Sequence, residues 1–151
     1  MRYLLAGAIL LLAVQPGAAT DKILIVCGDS QGYSYNAQDG LAPSGWQKDS
    51  IAGQLSVILR DNGQYDLLAA GGPGGFNNFF YSNDGCQITK LQTFRSNQLT
   101  LLAQCRRYAE TFLFTWNSDG SGSLLNVGAG SMAVLSGTRA NAFQSSCHLK
   151  N

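Results

Sequence analysis

The sequence is interrupted at short intervals by residues that favour tight turns. Such groups, built from Asp, Asn and Gly, stand at 39–40, 61–63, 83–85 and 119–120. Between them lie short runs in which apolar and polar residues alternate. The clearest run, ETFLFTW, places Phe112, Phe114 and Trp116 on one face of an extended chain. Alternation between turn residues predicts half-buried antiparallel strands, and therefore an all-β domain.

Two segments, 49–63 and 96–110, also fit a helical spacing of apolar residues. If both were helical, the chain would follow a β-α-β-α-β order. Gly53 and the β-branched pair Val57-Ile58 weaken the first helix, and we predict strands at both places. The loop at 117–122 predicts a hairpin rather than a calcium site, because it lacks a bidentate Glu. We therefore expect an antiparallel barrel or a two-sheet sandwich of about eight short strands.

The N-terminal residues are typical of a signal peptide. Arg2 precedes an apolar run at 4–14, and small residues follow it up to position 19. This pattern predicts cleavage before Thr20 and a single β-rich domain over residues 20–151. The apolar run is shorter than the roughly 20 residues that span a bilayer, so no membrane span is expected. The protein is predicted to be exported, to the periplasm or to the medium.

Four cysteines follow the predicted leader, at positions 27, 86, 105 and 147. An even number in an exported chain indicates two disulfides, for which three connectivities exist. We favour Cys27–Cys147, which joins the two ends of the domain, and Cys86–Cys105 as a local link. There is no Cys-x-x-Cys pair and His148 is the only histidine, so a zinc site is not expected. We expect no metal and no cofactor.

The charge balance limits the classes of partner. The chain has ten Lys and Arg against nine Asp and Glu, and one of these arginines lies in the predicted leader. The longest basic run is Arg106-Arg107, so the electrostatic footprint of a nucleic-acid-binding protein is missing. A small molecule or a component of the cell envelope is the expected partner.

The stretch ILIVCGDSQGYSYN, residues 23–36, carries one family resemblance. Its Gly28-Asp29-Ser30 follows the first predicted strand and resembles the first block of the GDSL (SGNH) hydrolases. This resemblance implies that Ser30 is a nucleophile, with Asn77 in the oxyanion hole and His148 as the base. Ser145 stands where that family carries the acid that orients the histidine. We therefore favour the alternative, that residues 28–30 form a turn between two strands.

A second resemblance covers more of the chain. The pattern Cys…Gly-Tyr-x-Tyr…Gly-Trp-x-x-Asp-x-Ile…Tyr-Asp-Leu, at 27, 32–35, 45–51 and 65–67, is similar to small exported bacterial proteins of unassigned function. It implies an antiparallel β-domain and assigns no reaction. The favoured function is a non-catalytic binding or envelope-associated domain, and the alternative is an ester hydrolase that uses Ser30.

Aromatic residues supply the candidate binding side chains. Tyr33, Tyr35 and Trp46 are suited to an aromatic platform, but the spacing of the two tyrosines favours packing in the core. Glu110, the only glutamate, is predicted to be a solvated residue at a strand edge or rim. The Gly-rich segment 71–85 is either a binding lip or a cover for the core, and its aromatic residues are Phe76, Phe79, Phe80 and Tyr81.

Overall fold

The computed structural model describes residues 20–37, 44–71, 78–131 and 138–150. The predicted signal peptide and the candidate residues Phe76 and Asn77 lie outside these ranges. Regular structure in the described residues is β-strand, apart from one 3₁₀ helix at Tyr81–Asp84. This confirms the all-β prediction.

Ten strands form in the described ranges, and they pair antiparallel in one sheet. They are β1 Lys22–Asn36, β2 Gly45–Ile51, β3 Gln54–Leu59, β4 Tyr65–Ala70, β5 Phe79–Phe80, β6 Gln87–Leu91, β7 Gln98–Gln104, β8 Tyr108–Trp116, β9 Ser121–Ser131 and β10 Thr138–Leu149. Both segments with helical spacing are strands, β3 and β7, as predicted. A hairpin joins β8 to β9, also as predicted.

The sheet is curled into a half-barrel with the order β5-β4-β3-β1-β10-β9-β8-β7-β6. Strand β2 pairs with the second half of β1, beyond β3. The curl brings β6 towards β4, where the Lys90 ammonium lies 5.6 Å from the centre of the Tyr65 ring. The described strands therefore adopt the barrel-like alternative rather than two stacked sheets.

The concave face of the half-barrel holds the apolar core. Alternation turns Leu99, Leu101 and Ala103 of β7 inward, and it does the same for Phe112 and Phe114 of β8. Each of these side chains is buried, as the sequence predicts. Further core residues come from β1, β3, β4, β9 and β10: Ile25, Val57, Leu67, Leu124 and Cys147.

Both predicted disulfides are present. Cys27 and Cys147 lie directly opposite each other on the neighbouring strands β1 and β10. This bond closes a separation of 120 residues, and in the chain-entropy model a loop of that length stabilises the fold by roughly 4–5 kcal/mol. Cys86–Cys105 links the segment before β6 to the end of β7. The two bonds secure the ends of the domain and one rim of the half-barrel.

The prediction that residues 28–30 form a turn is wrong. They lie inside β1, which runs from Lys22 to Asn36 with a bulge between Cys27 and Ser30. The bulge faces the break between β2 and β3, where the Gly53 N–H donates to Asp29 Oδ1 at 2.8 Å. Bulges and turns both interrupt the hydrogen bonding between strands, and both favour small residues that adopt unusual backbone conformations. The two are therefore hard to distinguish in sequence.

Candidate functional site

A cleft of about 850 Å³ opens on the concave face, at the end where β9 finishes and β8 and β10 begin. Its lining combines charged, amide and aromatic side chains. Those that matter most are Tyr81, Tyr108, Glu110, Arg139, Asn141 and Phe143.

Two glycines of β9 shape the floor of this cleft. Gly128 lies between Glu110 on β8 and Asn141 on β10, and Gly130 lies beside Tyr108. A Cβ at Gly128 would be 2.7 Å from Glu110 Cγ and 2.9 Å from Asn141 Oδ1. A Cβ at Gly130 would be 2.4 Å from the Tyr108 Cβ. Because Gly128 and Gly130 have no side chains, side chains from β8 and β10 can extend over β9 at these positions and contact each other.

Glu110 is the central polar residue of the cleft. Asn141 Nδ2 donates to its Oε1 at 3.3 Å, and the Tyr81 hydroxyl donates to its Oε2 at 3.0 Å. Burial raises the pKa of Glu110, and these two hydrogen bonds only partly oppose that effect. The predicted solvated rim position is wrong. Glu110 shares the inward face of Phe112, two residues further along β8, and that spacing was available in the sequence.

Tyr81 forms one wall of the cleft. Its ring meets the edge of Phe112 with centroids 5.7 Å apart, and it stacks on Phe79 at 5.6 Å. Burial, followed by the nearby charge of Glu110, raises the pKa of Tyr81 far above its ordinary value. The hydroxyl therefore keeps its proton and acts as a donor to Glu110. Tyr81, a binding candidate from the sequence, does line the cleft.

A buried carboxylate fixes the 3₁₀ helix that carries Tyr81. Asp66 is 1% exposed, and it accepts hydrogen bonds from the Ser82 amide and hydroxyl and from Arg60. Burial alone would raise the pKa of Asp66, but these hydrogen bonds outweigh it and hold the pKa below its usual range. The Arg60 guanidinium also covers the Phe80 ring at 4.0 Å. Phe80 thus supports the wall rather than lining the cleft.

Tyr108, which also lines the cleft, lies beside the second disulfide. The Tyr108 hydroxyl lies 3.3 Å from Asp84 Oδ2, to which it donates, and 3.7 Å from the Cys86 sulfur. Burial, together with the charges of Glu110 and Asp84, raises the pKa of Tyr108 to about 12. Cys86–Cys105 therefore braces the end of the 3₁₀ helix against the turn between β7 and β8.

One unsatisfied polar atom belongs to the lining of this cleft, and two others lie at nearby positions of the sheet. In the described part of the chain, three buried side-chain atoms have no hydrogen-bond partner: Asn36 Oδ1, Asn126 Nδ2 and Asn141 Oδ1. Asn141 lines the cleft. Asn126 is the next inward position after Gly128, and Asn36 lies opposite Arg139. Buried polar groups in folded proteins are normally paired, so an unpaired one indicates a place where water or a ligand completes the bonding.

The structure does not bring the hydrolase-like residues together. The Ser30 hydroxyl lies 2.6 Å from that of Ser145, on the concave face of the sheet. His148 lies three positions beyond Ser145 on β10, is exposed, and therefore points to the other face. It lines a separate shallow cleft with Trp116. Ser30 thus has a serine as its neighbour where the resemblance implies a histidine.

The prediction that Tyr33 and Tyr35 pack in the core is wrong. Tyr33 is 55% exposed, and Tyr35 contacts Trp46 on the convex face, with ring centroids 5.6 Å apart. The bulge in β1 explains this result. It shifts the alternation by one residue, so Ile25 and Cys27 point inward before the bulge and even-numbered residues point inward from Ser30 onwards. Trp46, also a binding candidate, therefore lies outside the cleft and 58% exposed.

The fold and the site together define a disulfide-bonded antiparallel half-barrel with a polar cleft at one end. Comparison with models of known protein families, with characterised proteins and with solved structures found no significant match. None of the helices in the described residues is long and apolar enough to cross a membrane. No group of three potential metal ligands occurs among the described His, Cys, Asp and Glu residues.

Proposed function

We propose that this chain is an exported protein that binds a small polar molecule in the cleft around Glu110, without catalysing a reaction. The observation that carries the proposal is the unpaired Asn141 Oδ1, a buried atom of a residue that lines the cleft. A bound molecule with a suitable donor would complete the hydrogen bonding of this oxygen and offset the cost of burying it unpaired.

The dimensions and rigidity of the cleft support this role. Its volume of about 850 Å³ lies within the range of roughly 300–1,000 Å³ that is usual for small-molecule sites. Strands β8, β9 and β10 form the floor, and the Cys86–Cys105 disulfide braces one wall. A site on strands loses little conformational entropy on binding, because its side chains are already ordered.

The surroundings of Ser30 favour binding over ester hydrolysis. A nucleophilic serine needs a base within hydrogen-bond reach, and Ser30 contacts Ser145 instead. The two disulfides support the exported location, because such bonds persist in oxidising compartments. With the signal-peptide pattern at residues 1–19, they suit a periplasmic or secreted protein, and the predicted leader agrees with the resemblance to small exported bacterial proteins.

A ligand screen on the disulfide-bonded protein tests the proposed function. We expect at least one compound from a library of small polar metabolites to raise the unfolding temperature. The effect should be lost in Asn141→Ala and kept in Ser146→Ala, a control on the convex face of the same strand. If no compound stabilises the protein, or if every hit is indifferent to Asn141→Ala, the proposed binding site is wrong.

A further inference from the structure

Three arginines line the mouth of the cleft and have no side-chain partner among the described residues. They are Arg106 and Arg107, in the turn between β7 and β8, and Arg139, near the start of β10. Both ion pairs found in the described part of the chain belong to Arg60 instead. Guanidinium groups left unpaired at a cleft are suited to bind carboxylate or phosphate, because their planar donors match the geometry of those anions.

The backbone brings these arginines to one place. The Arg107 carbonyl accepts a hydrogen bond from the Ser131 amide at 2.9 Å, and Arg139 is paired with Gly130. Both residues therefore flank the end of β9. Gly130, which has no side chain, lies opposite Arg139, so β9 places no side chain directly beside that arginine.

The carboxylates that line the cleft form hydrogen bonds with other groups and no ion pair with these arginines among the described residues. Asp49 accepts hydrogen bonds from the Ser34 hydroxyl and the Ser50 amide, and Asp84 accepts one from Tyr108. Glu110 lies further in, between Tyr81 and Asn141. The cleft therefore contains three arginines without an ion-pair partner among the described residues and, in Glu110, a carboxylate that likewise has none.

The separation between Arg139 and the Glu110 carboxylate fits one small molecule. Arg139 and Asn141 are two residues apart on the same face of β10, a distance of about 7 Å along the strand. Asn141 holds the Glu110 carboxylate within 3.3 Å of its amide nitrogen. The flexible Arg139 side chain can shorten the remaining gap. The walls of the cleft include the aromatic side chains of Tyr81, Tyr108 and Phe143.

From this arrangement we infer that the cleft binds a zwitterionic amino acid with an apolar side chain. Its carboxylate would pair with Arg139 and the neighbouring turn arginines, and its ammonium group would donate to Glu110. The side chain would lie against Phe143 and the tyrosines. The inference rests on the proposed function and adds the chemical class of the ligand.

Calorimetric titration of the disulfide-bonded protein with three related probes tests the inference. Phenylalanine carries both charged groups, 3-phenylpropionate lacks the ammonium, and 2-phenylethylamine lacks the carboxylate. We expect phenylalanine to bind, and removal of either group to weaken binding by about tenfold or more, as loss of a charge-assisted hydrogen bond would. If either analogue binds as well as phenylalanine, the inference is wrong.

Variants assign each charged group to its partner. Arg139→Gln should weaken phenylalanine and 3-phenylpropionate but leave 2-phenylethylamine unchanged, and Glu110→Gln should weaken the two amines alone. Arg95→Gln, an exposed arginine between β6 and β7, is the control and should change nothing. Phenylalanine binding that survives both cleft variants would refute the inference.

The outcomes for ligand class and for site are distinguishable. If phenylalanine, leucine and valine all fail to bind while another compound binds in an Asn141-dependent manner, the ligand class is wrong and the proposed function stands. If no compound of any class binds, both are wrong.

Discussion

Replacement of Asp66 by alanine is expected to lower the free energy of unfolding by about 3–5 kcal/mol, the usual cost of removing one partner from a buried ion pair. Asp66 is 1% exposed and joins three parts of the fold. It accepts hydrogen bonds from Arg60 Nε and Nη2 at 3.2 and 2.6 Å, and from the Leu67 amide at 2.8 Å. It also accepts from the Ser82 amide and hydroxyl at 3.2 and 2.5 Å. Without it, these donors lose their acceptor.

The surroundings of Asp66 indicate that the loss of unfolding free energy lies towards the lower end of that range. Arg60 keeps its second partner, Asp21, at 2.6 Å, and its side chain is 25% exposed, so water can solvate it. The amide of Leu67 is buried and has no such alternative. Because total stabilities of small domains are about 5–15 kcal/mol, even 3 kcal/mol is a large fraction.

Urea unfolding at neutral pH, with the disulfides intact and tryptophan fluorescence as the probe, measures the effect. The midpoint should fall while the slope stays unchanged. Asp21→Ala is a matched control, because it removes the other carboxylate from the same arginine. Asp21 is 42% exposed, so its pair should contribute no more than about 1 kcal/mol. Equal losses in the two variants would refute the reasoning.

The pH dependence gives a second readout for Asp66. Its pKa in the folded protein lies below the unfolded value of about 3.9, so the stabilisation is present above that pH and is lost as pH falls through the folded pKa. The difference between wild type and Asp66→Asn should therefore shrink in acid. A difference that stays constant with pH would show that the lost stability does not come from the charge.

Three further perturbations have distinct expected results. Because burial raises the pKa of Glu110, the protonated side chain stabilises the folded protein in acid, and this stabilisation is lost as pH rises and the carboxyl ionises. In urea unfolding, Glu110→Gln should therefore be more stable than wild type at neutral pH and equally stable in acid. Gly128→Ala should cost about 1–3 kcal/mol by crowding Glu110, whereas Gly28→Ala, with nothing within 4 Å of the new Cβ, should be neutral or slightly stabilising. A fluorophosphonate probe should label wild type and Ser30→Ala to the same extent. Labelling that is lost in Ser30→Ala would restore the hydrolase hypothesis.

Local alternation was sufficient to predict β3, β4, β7 and β8 and the apolar residues that β7 and β8 contribute to the core. Leu99, Leu101, Phe112 and Phe114 are buried as their period-two spacing predicts. The favoured disulfide pairing is confirmed, but the sequence alone left three connectivities open, because the adjacency of β1 and β10 is visible only in the fold. Curvature of the sheet was not predictable, because it depends on pairing between strands that are distant in sequence, such as β1 and β10.

The cleft was missed because its residues become neighbours only through pairing. Glu110 and Asn141 are 31 positions apart, and they meet because β9 lies between their strands with glycine at position 128. No local pattern marks such a meeting. One signal for the cleft can be recognised once the β8–β9 register is known. Gly128 and Gly130 occupy successive inward positions of β9, and they lie opposite Glu110 and Tyr108 of β8.

The bulge in β1 links the opening motif to the site, although the motif supplies no catalytic group. If β1 alternated without interruption, Tyr33 would face inward and fill the end of the half-barrel where the cleft now lies. The extra residue at 28–29, held by Asp29 and Gly53, turns Tyr33 outward and places Gly32 and Ser34 on the concave face. At Gly32 the β10 backbone approaches so closely that a Cβ would lie 2.0 Å from the Ala142 carbonyl oxygen. The Gly-Asp-Ser stretch therefore places small side chains instead of large ones on the inward face along half of β1, and this leaves open the space that the cleft occupies beside Asn141.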